Sequence, residues 1–259
     1  MSLNKFVVVG TGIRTSGQLT METISWIKKA DKVFFVVADV LAGKIIPTLN
    51  SSAVSLHFLY ETKKSREETY REMVELMMDS VRNNKLTVAA YYGHPGVLAD
   101  APHMAVKLAK AEGFDAQMLP AISAEACLFA DIGLDPSTYG CQSYEATAFL
   151  LKNKVIDNSS SLILWQVGVL CDLTYGENVP VPEKSMNALR EKLYQNYPPT
   201  HIITIYEAAT IVGCKPRIEQ VALKDIVKVS LTGVSTIYVP PCSDETLDEV
   251  FYGKVDLVV

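Results

Sequence analysis

The sequence lacks the features that mark an exported, metal-binding or membrane-embedded chain. Its five cysteines form no CxxC pair and do not cluster with histidine, which is typical of reduced thiols and not of a disulfide framework or a zinc site. It has neither a basic-then-apolar N-terminal segment nor an apolar run of bilayer length. We therefore expect a cytoplasmic protein that binds no metal and has no membrane partner.

Positive charge is also scarce. The 259 residues include 24 Lys and Arg against 29 Asp and Glu, which gives a formal net charge of −5. Nucleic-acid-binding domains normally have the opposite sign, so we expect no nucleic-acid partner. Apolar residues, in contrast, are plentiful: 49% of the chain is hydrophobic and 20% is charged. That composition is typical of a well-buried core and excludes a disordered chain.

The order of apolar runs predicts strand-helix-strand units. Residues 5–10 form an apolar, β-branched run closed by glycine, Thr20 caps a helix that continues to Ala30, and residues 32–37 form a second such run. Strands joined in this way lie parallel in one sheet. Further strands are predicted at residues 54–59, 86–92, 115–119, 161–167, 202–206, 217–222 and 235–239. Further helices are predicted from Ser65, over 102–112, from 121–124 to 131, and over 183–197.

The rhythm of the chain changes at Pro120, after which a turn of small residues opens an alanine-rich helix. A predicted loop covers residues 133–140, and the longest irregular stretch is predicted at 168–182. We therefore predict the α/β class, with two α/β domains that have mostly parallel sheets. The N-terminal domain would comprise residues 1–120 and the C-terminal domain residues 121–259.

Two loops rich in glycine follow predicted strands. The first, residues 10–17, misses the dinucleotide fingerprint because its third glycine falls two positions late, and it lacks a phosphate-loop lysine. Taken alone, it fits a tight turn. The second, YYGHPGV at residues 91–97, follows a strand at the edge where open α/β sheets bind ligands. Its glycines would let a ligand approach the backbone, although a plain turn with core tyrosines also fits.

Aromatic and cationic residues surround the start of one predicted helix. Ser65 and Glu68 have the spacing of a capping box, which predicts that the helix begins at about Ser65. Arg66 and Tyr70 then share one face of that helix, and Tyr60 comes just before it. An arginine in a first helical turn is mildly unfavourable with the helix dipole, which favours a functional reason for it.

A structural interpretation of the same segment needs no function. The two tyrosines would be half-buried surface residues, and the arginine would pair with Glu67 or Glu68. In that interpretation Lys63 and Lys64 form a solvated surface.

In combination, the motifs resemble the tetrapyrrole methylase superfamily. VVVG-TG, LTMETISWIKKADKVF, YGHPGV and LPAISA keep the order and spacing of that superfamily between residues 5 and 241. The resemblance implies a class III S-adenosylmethionine (SAM) methyltransferase fold, with the active site in the cleft between two α/β domains. Two departures from the superfamily's motifs argue against a porphyrinoid substrate. The first glycine loop has no acidic residue, and Gly93-His94-Pro95 stands where the superfamily often has Gly-Asp-Pro.

Further motifs resemble one branch, the borosin peptide backbone α-N-methyltransferases. They are GTGI, Tyr60-x5-Arg66-x3-Tyr70, YYGHPGV, LPAISAE, DPSTYGC at residues 135–141, WQVG at 165–168 and YVPP at 238–241. The resemblance implies SAM-dependent methylation of backbone amides in a ribosomally made precursor peptide, with S-adenosylhomocysteine as the other product. The chain stops at Val259 with no helical clasp or core peptide, which resembles the split type. We therefore expect a separate precursor chain with a C-terminal core, and a homodimer that forms a heterotetramer with two precursors.

The resemblance also assigns residues. It implies catalytic roles for Tyr60, Arg66, Tyr70 and Tyr92, with Tyr92 near the SAM sulfonium, where an aromatic ring favours a cation. The implied cofactor-binding residues are Tyr92, His94, Val97, Ser123, Ala124, Gln166, Ala209, Ser235 and Thr236.

Backbone N-methylation explains why tyrosine and arginine would be used. An amide nitrogen is a poor nucleophile because its lone pair is delocalised, and negative charge builds on the carbonyl oxygen as the proton leaves. Our hypothesis makes Tyr70 the base, directly or through water, which requires a lowered pKa, with Tyr60 and Arg66 as donors to the oxygen. The reverse assignment of the two tyrosines stays open. Two other functions also stay open: a tetrapyrrole-type small-molecule C-methyltransferase and a catalytically silent peptide-binding scaffold.

Overall fold

The computed structural model describes residues 4–38, 40–174, 180–244 and 246–255. The chain divides into two compact units. The first unit comprises Met1–Leu134, Cys171–Val179 and Tyr206–Ile218, and the second comprises Asp135–Leu170, Pro180–Ile205 and Glu219–Val259. The predicted domain boundary after residue 120 stays a prediction; the first unit continues to Leu134 and takes in two later segments.

The first unit contains a five-stranded parallel sheet. Its elements are β1 Lys5–Gly10, α1 Thr15–Gln18, α2 Met21–Lys29, β2 Lys32–Val36, α3 Val40–Leu49, β3 Ala53–Ser55, a 3-10 helix His57–Leu59, α4 Arg66–Asn83, β4 Leu86–Tyr91, α5 Asp100–Ala111, β5 Asp115–Met118 and α6 Ala124–Ile132. The strand order is β3-β2-β4-β1-β5, and every neighbouring pair is parallel. Gly10 lies opposite Tyr91, so β1 and β4 end together at one edge of the sheet.

Helices cover both faces of this sheet. Phe6 and Val8 of β1 pack on one side, in a core with residues of α4 and α5. The alternate residues Val7 and Val9 pack on the other side, in a core with residues of α2 and α3. After β1 the chain continues into α2 on one face and then to β2, whereas after β4 it continues into α5 on the other face and then to β5. These two connections run towards opposite ends of the strand order. Ligands of open α/β sheets bind at the carboxyl edge of such a strand pair.

The rest of the chain builds a second five-stranded sheet. Its elements are α7 Pro136–Tyr139, β6 Cys141–Glu145, α8 Ala146–Leu151, β7 Ser161–Trp165, a 3-10 helix Val167–Val169, α9 Glu183–Tyr194, β8 Ile202–Glu207, β9 Arg217–Ala222, a 3-10 helix Leu223–Lys228, β10 Thr236–Val239 and α10 Glu249–Tyr252. The strand order is β6-β7-β10-β8-β9. Because β6 is parallel to β7 and β10 is antiparallel to it, this sheet is mixed. The expected α/β class is confirmed.

Some local predictions were wrong. The strand predicted over residues 54–59 is the short β3 followed by a 3-10 helix, because Leu56 and Leu59 are both buried and their three-residue spacing suits one helical turn. The predicted loop at residues 133–140 contains α7, whose start Asp135 caps. The helices α3 and α8 and the strand β6 were not predicted. Among the described residues, no helix is both long and apolar enough to cross a bilayer.

Candidate functional site

The two glycine loops lie at the same edge of the first sheet and pair with each other. The Gly93 N–H donates to the Gly12 carbonyl at 2.8 Å, and the Gly12 N–H donates to the Gly93 carbonyl at 3.3 Å. Both residues have positive φ, +66° and +70°, which suits glycine. At Gly10 a Cβ would lie 2.3 Å from the Ala121 Cβ and 2.3 Å from the Gly93 oxygen. The first glycine loop is therefore packed against the second and hydrogen-bonded to it, and is not an isolated turn.

Histidines fix the conformation of the loop after β4. The Gly96 N–H donates to Nδ1 of His94 at 2.9 Å, so the proton of the neutral His94 ring lies on Nε2. Nε2 of His103, on α5, lies 3.0 Å from the Gly96 oxygen and must donate to it. Tyr92 and Val97 present 45% and 40% of their surface to solvent. The backbone of the loop is thus held by hydrogen bonds, while the side chains of Tyr92 and Val97 are open to solvent.

Other predicted cofactor residues occupy the same edge. β5 is the second neighbour of β1, and the loop after it leads to Ser123 and Ala124. Ser123 caps α6, with its hydroxyl accepting a hydrogen bond from the Ala126 N–H at 3.1 Å. Ala209 lies in the first unit and is half-buried. The loops after β4 and β5 therefore hold five of the nine predicted cofactor residues, and Ala209 belongs to the same unit.

Three predicted cofactor residues, Gln166, Ser235 and Thr236, lie in the second unit. Within that unit the chain beside Gln166 meets the chain at Ser235, because the Val167 N–H donates to the Ser235 oxygen at 3.0 Å. Gln166 has a left-handed backbone, with φ of 59°, and Ser235 and Thr236 are buried. In the described part of the chain, no group of three or more His, Cys, Asp or Glu is placed to hold a metal ion.

The four predicted catalytic residues all belong to the first unit. Tyr60 follows the 3-10 helix, Arg66 is the first residue of α4, Tyr70 lies one turn further on, and Tyr92 follows β4. Burial raises the pKa of both Tyr70 and Tyr92, and the charge of Arg66 opposes that shift at each. The three side chains are therefore close enough to interact electrostatically. Tyr60 and Tyr70 also pack against the same hydrophobic core.

Burial dominates the acidity of these tyrosines. It raises the pKa of Tyr70 above its ordinary value, and Arg66 opposes that shift without reversing it. Burial raises the pKa of Tyr92 as well, although 45% of that residue's surface is exposed. Both hydroxyls are therefore protonated at neutral pH and suited to donate hydrogen bonds. The base role expected of Tyr70 requires the opposite direction of shift.

Backbone contacts anchor Arg66. Its N–H donates to the Leu173 oxygen at 3.1 Å, and its Nε donates to the Thr174 oxygen at 3.0 Å, so it does not depend on either neighbouring glutamate. Ser65, the N-cap residue, pairs with Thr174 through a short β-bridge. Among the residues that the structure describes, none accepts a hydrogen bond from the Nη groups of Arg66. Their donors are available to an acceptor on a ligand.

Ser65 and Lys64 differ from their sequence interpretation. The Ser65 side chain accepts no helix N–H, so the predicted capping box does not form as such. Lys64 was interpreted as part of a solvated surface, yet its side chain is only 11% exposed. Its Nζ donates to the Leu59 oxygen at 3.2 Å and to the Glu72 carboxylate at 2.5 Å. No local pattern reveals this, because one partner is a backbone carbonyl and the other lies eight residues away.

Comparison with known proteins gives a family and two groups of relatives. Residues 5–223 match the sequence profile of the tetrapyrrole (corrin/porphyrin) methylases. The chain is 41% identical over 242 residues to a methyltransferase/ribosomally synthesized cyclic peptide dendrothelin A precursor from Dendrothele bispora, covering 91% of this chain and 57% of that protein. It is 39% identical over 262 residues to a methyltransferase/ribosomally synthesized type III borosin cyclic peptide precursor from Anomoporia bombycina, covering 98% of this chain and 30% of that protein. The chain thus spans about half or less of the length of these relatives.

Solved structures agree on the fold. The uroporphyrin-III-C-methyltransferase from Thermus thermophilus superposes with a TM-score of 0.64 at 15% identity, covering 92% of each chain. A cobalt precorrin-4 methyltransferase superposes with a TM-score of 0.63 at 14% identity, covering 91% of this chain and 94% of that one. At these identities the likeness shows the fold alone.

Proposed function

Because the chain belongs to the family of tetrapyrrole (corrin/porphyrin) methylases, we propose that it transfers methyl groups from SAM to backbone amide nitrogens of a ribosomally made precursor peptide. Two relatives with 39% and 41% identity are named as methyltransferases joined to such precursors, which supports a peptide substrate. The proposal depends mainly on the placement of Arg66, whose Nε donates to a backbone carbonyl. Its Nη donors stay available beside two protonated tyrosine hydroxyls.

The edge formed by the glycine loops fits SAM. Gly12 and Gly93 bring two backbones together without side chains, and Tyr92 and Val97 offer exposed aromatic and aliphatic surface. An aromatic ring favours a nearby sulfonium cation. We assign SAM binding in the first unit to Tyr92, His94, Val97, Ser123, Ala124 and Ala209, while Gln166, Ser235 and Thr236 stay predictions from resemblance. When bound, SAM supplies the electrophilic methyl group and becomes S-adenosylhomocysteine.

The protein's own residues would make the amide nucleophilic. As the amide loses its proton, negative charge moves onto the carbonyl oxygen, and donors aimed at that oxygen lower the barrier. The Nη groups of Arg66 and the hydroxyl of Tyr70 supply such donors, because burial keeps Tyr70 protonated. The amide proton goes, directly or through water, to the phenolate form of Tyr60, which must have released its own proton to solvent first. The N–CH3 bond then forms as the S–CH3 bond of SAM breaks. The roles of the two tyrosines are the reverse of the assignment first made from the sequence.

We further propose that the substrate is a separate precursor chain. In this proposal two copies of the enzyme form a homodimer, which binds two precursor chains. The test incubates the 259-residue protein with SAM and, as a separate polypeptide, the precursor segment of the Dendrothele bispora relative. Fragmentation mass spectrometry should locate added methyl groups on backbone nitrogens of that segment. Light scattering should give the mass of two enzyme chains with two peptide chains. A matched Arg66→Met variant should bind SAM and methylate far more slowly.

Three other outcomes are distinct. Methylation of uroporphyrinogen III, with the peptide unmodified, would establish the small-molecule C-methyltransferase instead. SAM binding with neither substrate methylated would favour the silent peptide-binding scaffold. Methyl groups on the 259-residue chain itself would contradict only the separate-substrate part of the proposal.

A further inference from the structure

We propose that Lys64 is a positioning residue that holds Tyr60 in place relative to Arg66 and Tyr70. Its predicted effect on turnover rests on the proposed function, whereas the positioning rests on geometry alone. Nothing in the local sequence assigns this residue a role, and the resemblance to known methyltransferases gives it none.

The ammonium of Lys64 connects the two ends of the segment that carries the catalytic groups. One contact goes to the Leu59 oxygen at 3.2 Å, immediately before Tyr60. The other goes to Glu72 at 2.5 Å, two residues after Tyr70 on α4. Glu61 contributes a longer ion pair at 3.8 Å. One side chain thus links the backbone beside Tyr60 to the helix that carries Arg66 and Tyr70.

Both partners of Lys64 are themselves anchored. Leu59 is 9% exposed and packs in the core formed with Met73 and Met77 of α4, so its carbonyl has a fixed place. The backbone of Glu72 is fixed in the second turn of an 18-residue helix, and its side chain, 36% exposed, reaches Lys64 from there. A hydrogen bond between fixed groups determines the geometry of the loop between them, whereas the same bond between mobile groups would not.

The loop needs such a restraint because its backbone is strained. Lys63 has φ of +67°, a left-handed conformation that non-glycine residues rarely adopt. Strained conformations of this kind persist only where the surrounding contacts enforce them. The hydrogen bond from the Lys64 N–H to the Glu61 oxygen at 3.0 Å closes the turn that contains Lys63, and the side-chain contacts of Lys64 secure the residue that follows it.

The Lys64 charge is retained at working pH. The hydrogen bond to Glu72 raises the pKa of Lys64, and burial opposes that shift. Lys64 therefore stays charged through the neutral range, as an ordinary lysine does. Without the ammonium, the Leu59 carbonyl and the Glu72 carboxylate lose their partner, and Tyr60 loses its fixed distance from the other two groups.

The test compares Lys64→Met with Lys63→Met, which removes the same charge from the exposed neighbour. Hydrogen exchange followed by mass spectrometry should show faster exchange over residues 59–66 in K64M and unchanged exchange in K63M. Turnover of the peptide should fall about tenfold in K64M, with KM for SAM unchanged, because small misplacements of catalytic groups have large effects on rate. If K64M does not fold, Glu72→Gln carries the same comparison.

A double variant separates positioning from simple stabilisation. K64E/E72K keeps opposite charges at positions 64 and 72, with the thermal midpoint measured to follow stability, but a carboxylate at position 64 cannot donate to the Leu59 oxygen. Turnover should therefore stay low. Full recovery of turnover in the double variant, or normal kcat in K64M, would overturn the inference. Should the wild-type protein not methylate peptide at all, hydrogen exchange still decides: unchanged exchange in K64M rejects the positioning role independently of the proposed function.

Discussion

Two parts of the candidate site are held in place by different means. The loop of residues 91–97 is held mainly by close backbone approach: Gly93 pairs with Gly12, and Gly10 has no side chain to obstruct that pairing. The side chains of His94 and His103 add hydrogen bonds to Gly96. The segment of residues 59–70 depends more on polar side chains, with Lys64 bonded to Leu59 and Arg66 bonded to Thr174, beside the backbone contacts of Ser65 and Arg66. The second is also where the proposed catalytic donors lie.

The difference determines which substitutions each part tolerates. A region fixed by close backbone approach is damaged by added atoms, because there is no volume to receive them. A region fixed by side-chain hydrogen bonds is damaged by removed groups, because their partners stay behind unsatisfied. The first kind of damage should appear as lost stability and lost cofactor binding. The second should appear as lost turnover in a folded protein.

The largest effect is expected for Gly10→Ala. The new Cβ would lie 2.3 Å from a backbone oxygen and 2.3 Å from another Cβ, so both glycine loops must move. We expect a loss of about 3 kcal/mol of unfolding free energy, as in severe overpacking, measured by urea denaturation. Weakened SAM binding should accompany it in calorimetry.

Gly43→Ala is the matched control for this substitution. Gly43 lies within α3, and its added Cβ would meet only Val37 at 3.9 Å, an ordinary contact. This variant should be neutral or more stable by up to about 1 kcal/mol, the helix propensity difference. Equal loss in the two variants would contradict the backbone-fit account of the loop.

Next in size is Arg66→Lys, which should leave the fold intact. Lysine keeps the charge but cannot both reach the Thr174 oxygen and present a second rigid pair of donors. We expect kcat to fall about 100-fold, or about 2.7 kcal/mol, as when one oxyanion donor is removed. Single-turnover methylation measures this, and a thermal midpoint within error of the wild type shows that the loss is not structural.

The two tyrosines should give a smaller but more specific result. Tyr70→Phe should lower kcat about tenfold, about 1.4 kcal/mol, without moving the pH-rate profile, since the hydroxyl only donates. Tyr60→Phe should remove the ionisation that controls the acid limb of that profile. A limb that disappears in Y70F and persists in Y60F would restore Tyr70 as the base.

The raised pKa of Tyr70 also predicts a pH dependence of stability. The folded protein holds this proton more tightly than the unfolded chain, so the associated stability is complete below the ordinary tyrosine pKa of about 10 and falls as pH rises above it. Tyr70→Phe should therefore lose less stability between neutral and strongly alkaline pH than the wild type. Urea denaturation at each pH provides the measurement.

Short-range patterns predicted much of the fold. The strands β1, β2 and β4 and the helices α2 and α4 follow from runs of apolar residues and from caps such as Thr20, which does accept a hydrogen bond from Thr23. Their ends were less predictable. The run of residues 54–59 has the composition of a strand, but a three-residue spacing of buried leucines turns its second half into a 3-10 helix.

Contacts between residues that are distant in the chain could not be predicted from short-range patterns. The pairing of Gly12 with Gly93 joins residues that are far apart in the chain, so the first loop alone looked like a tight turn. Arg66 was weighed against its neighbouring glutamates, whereas its partners are the backbone oxygens of Leu173 and Thr174. Burial was decisive for Tyr70, because it sets the direction of the pKa shift and no sequence pattern reports it.

The smallest effect tests whether every polar side chain in the second region matters. Ser65→Ala should change the unfolding free energy by less than about 0.5 kcal/mol, because the Ser65 hydroxyl caps no helix N–H. Thr20→Ala, which removes a cap that accepts from the Thr23 N–H at 3.0 Å, should lose about 1 kcal/mol under the same conditions. Equal losses in the two variants would show that Ser65 acts as a cap in solution. A larger loss in Thr20→Ala would show that the Ser65 hydroxyl adds little to the restraint of this segment, which then rests on its cationic side chains and its backbone contacts.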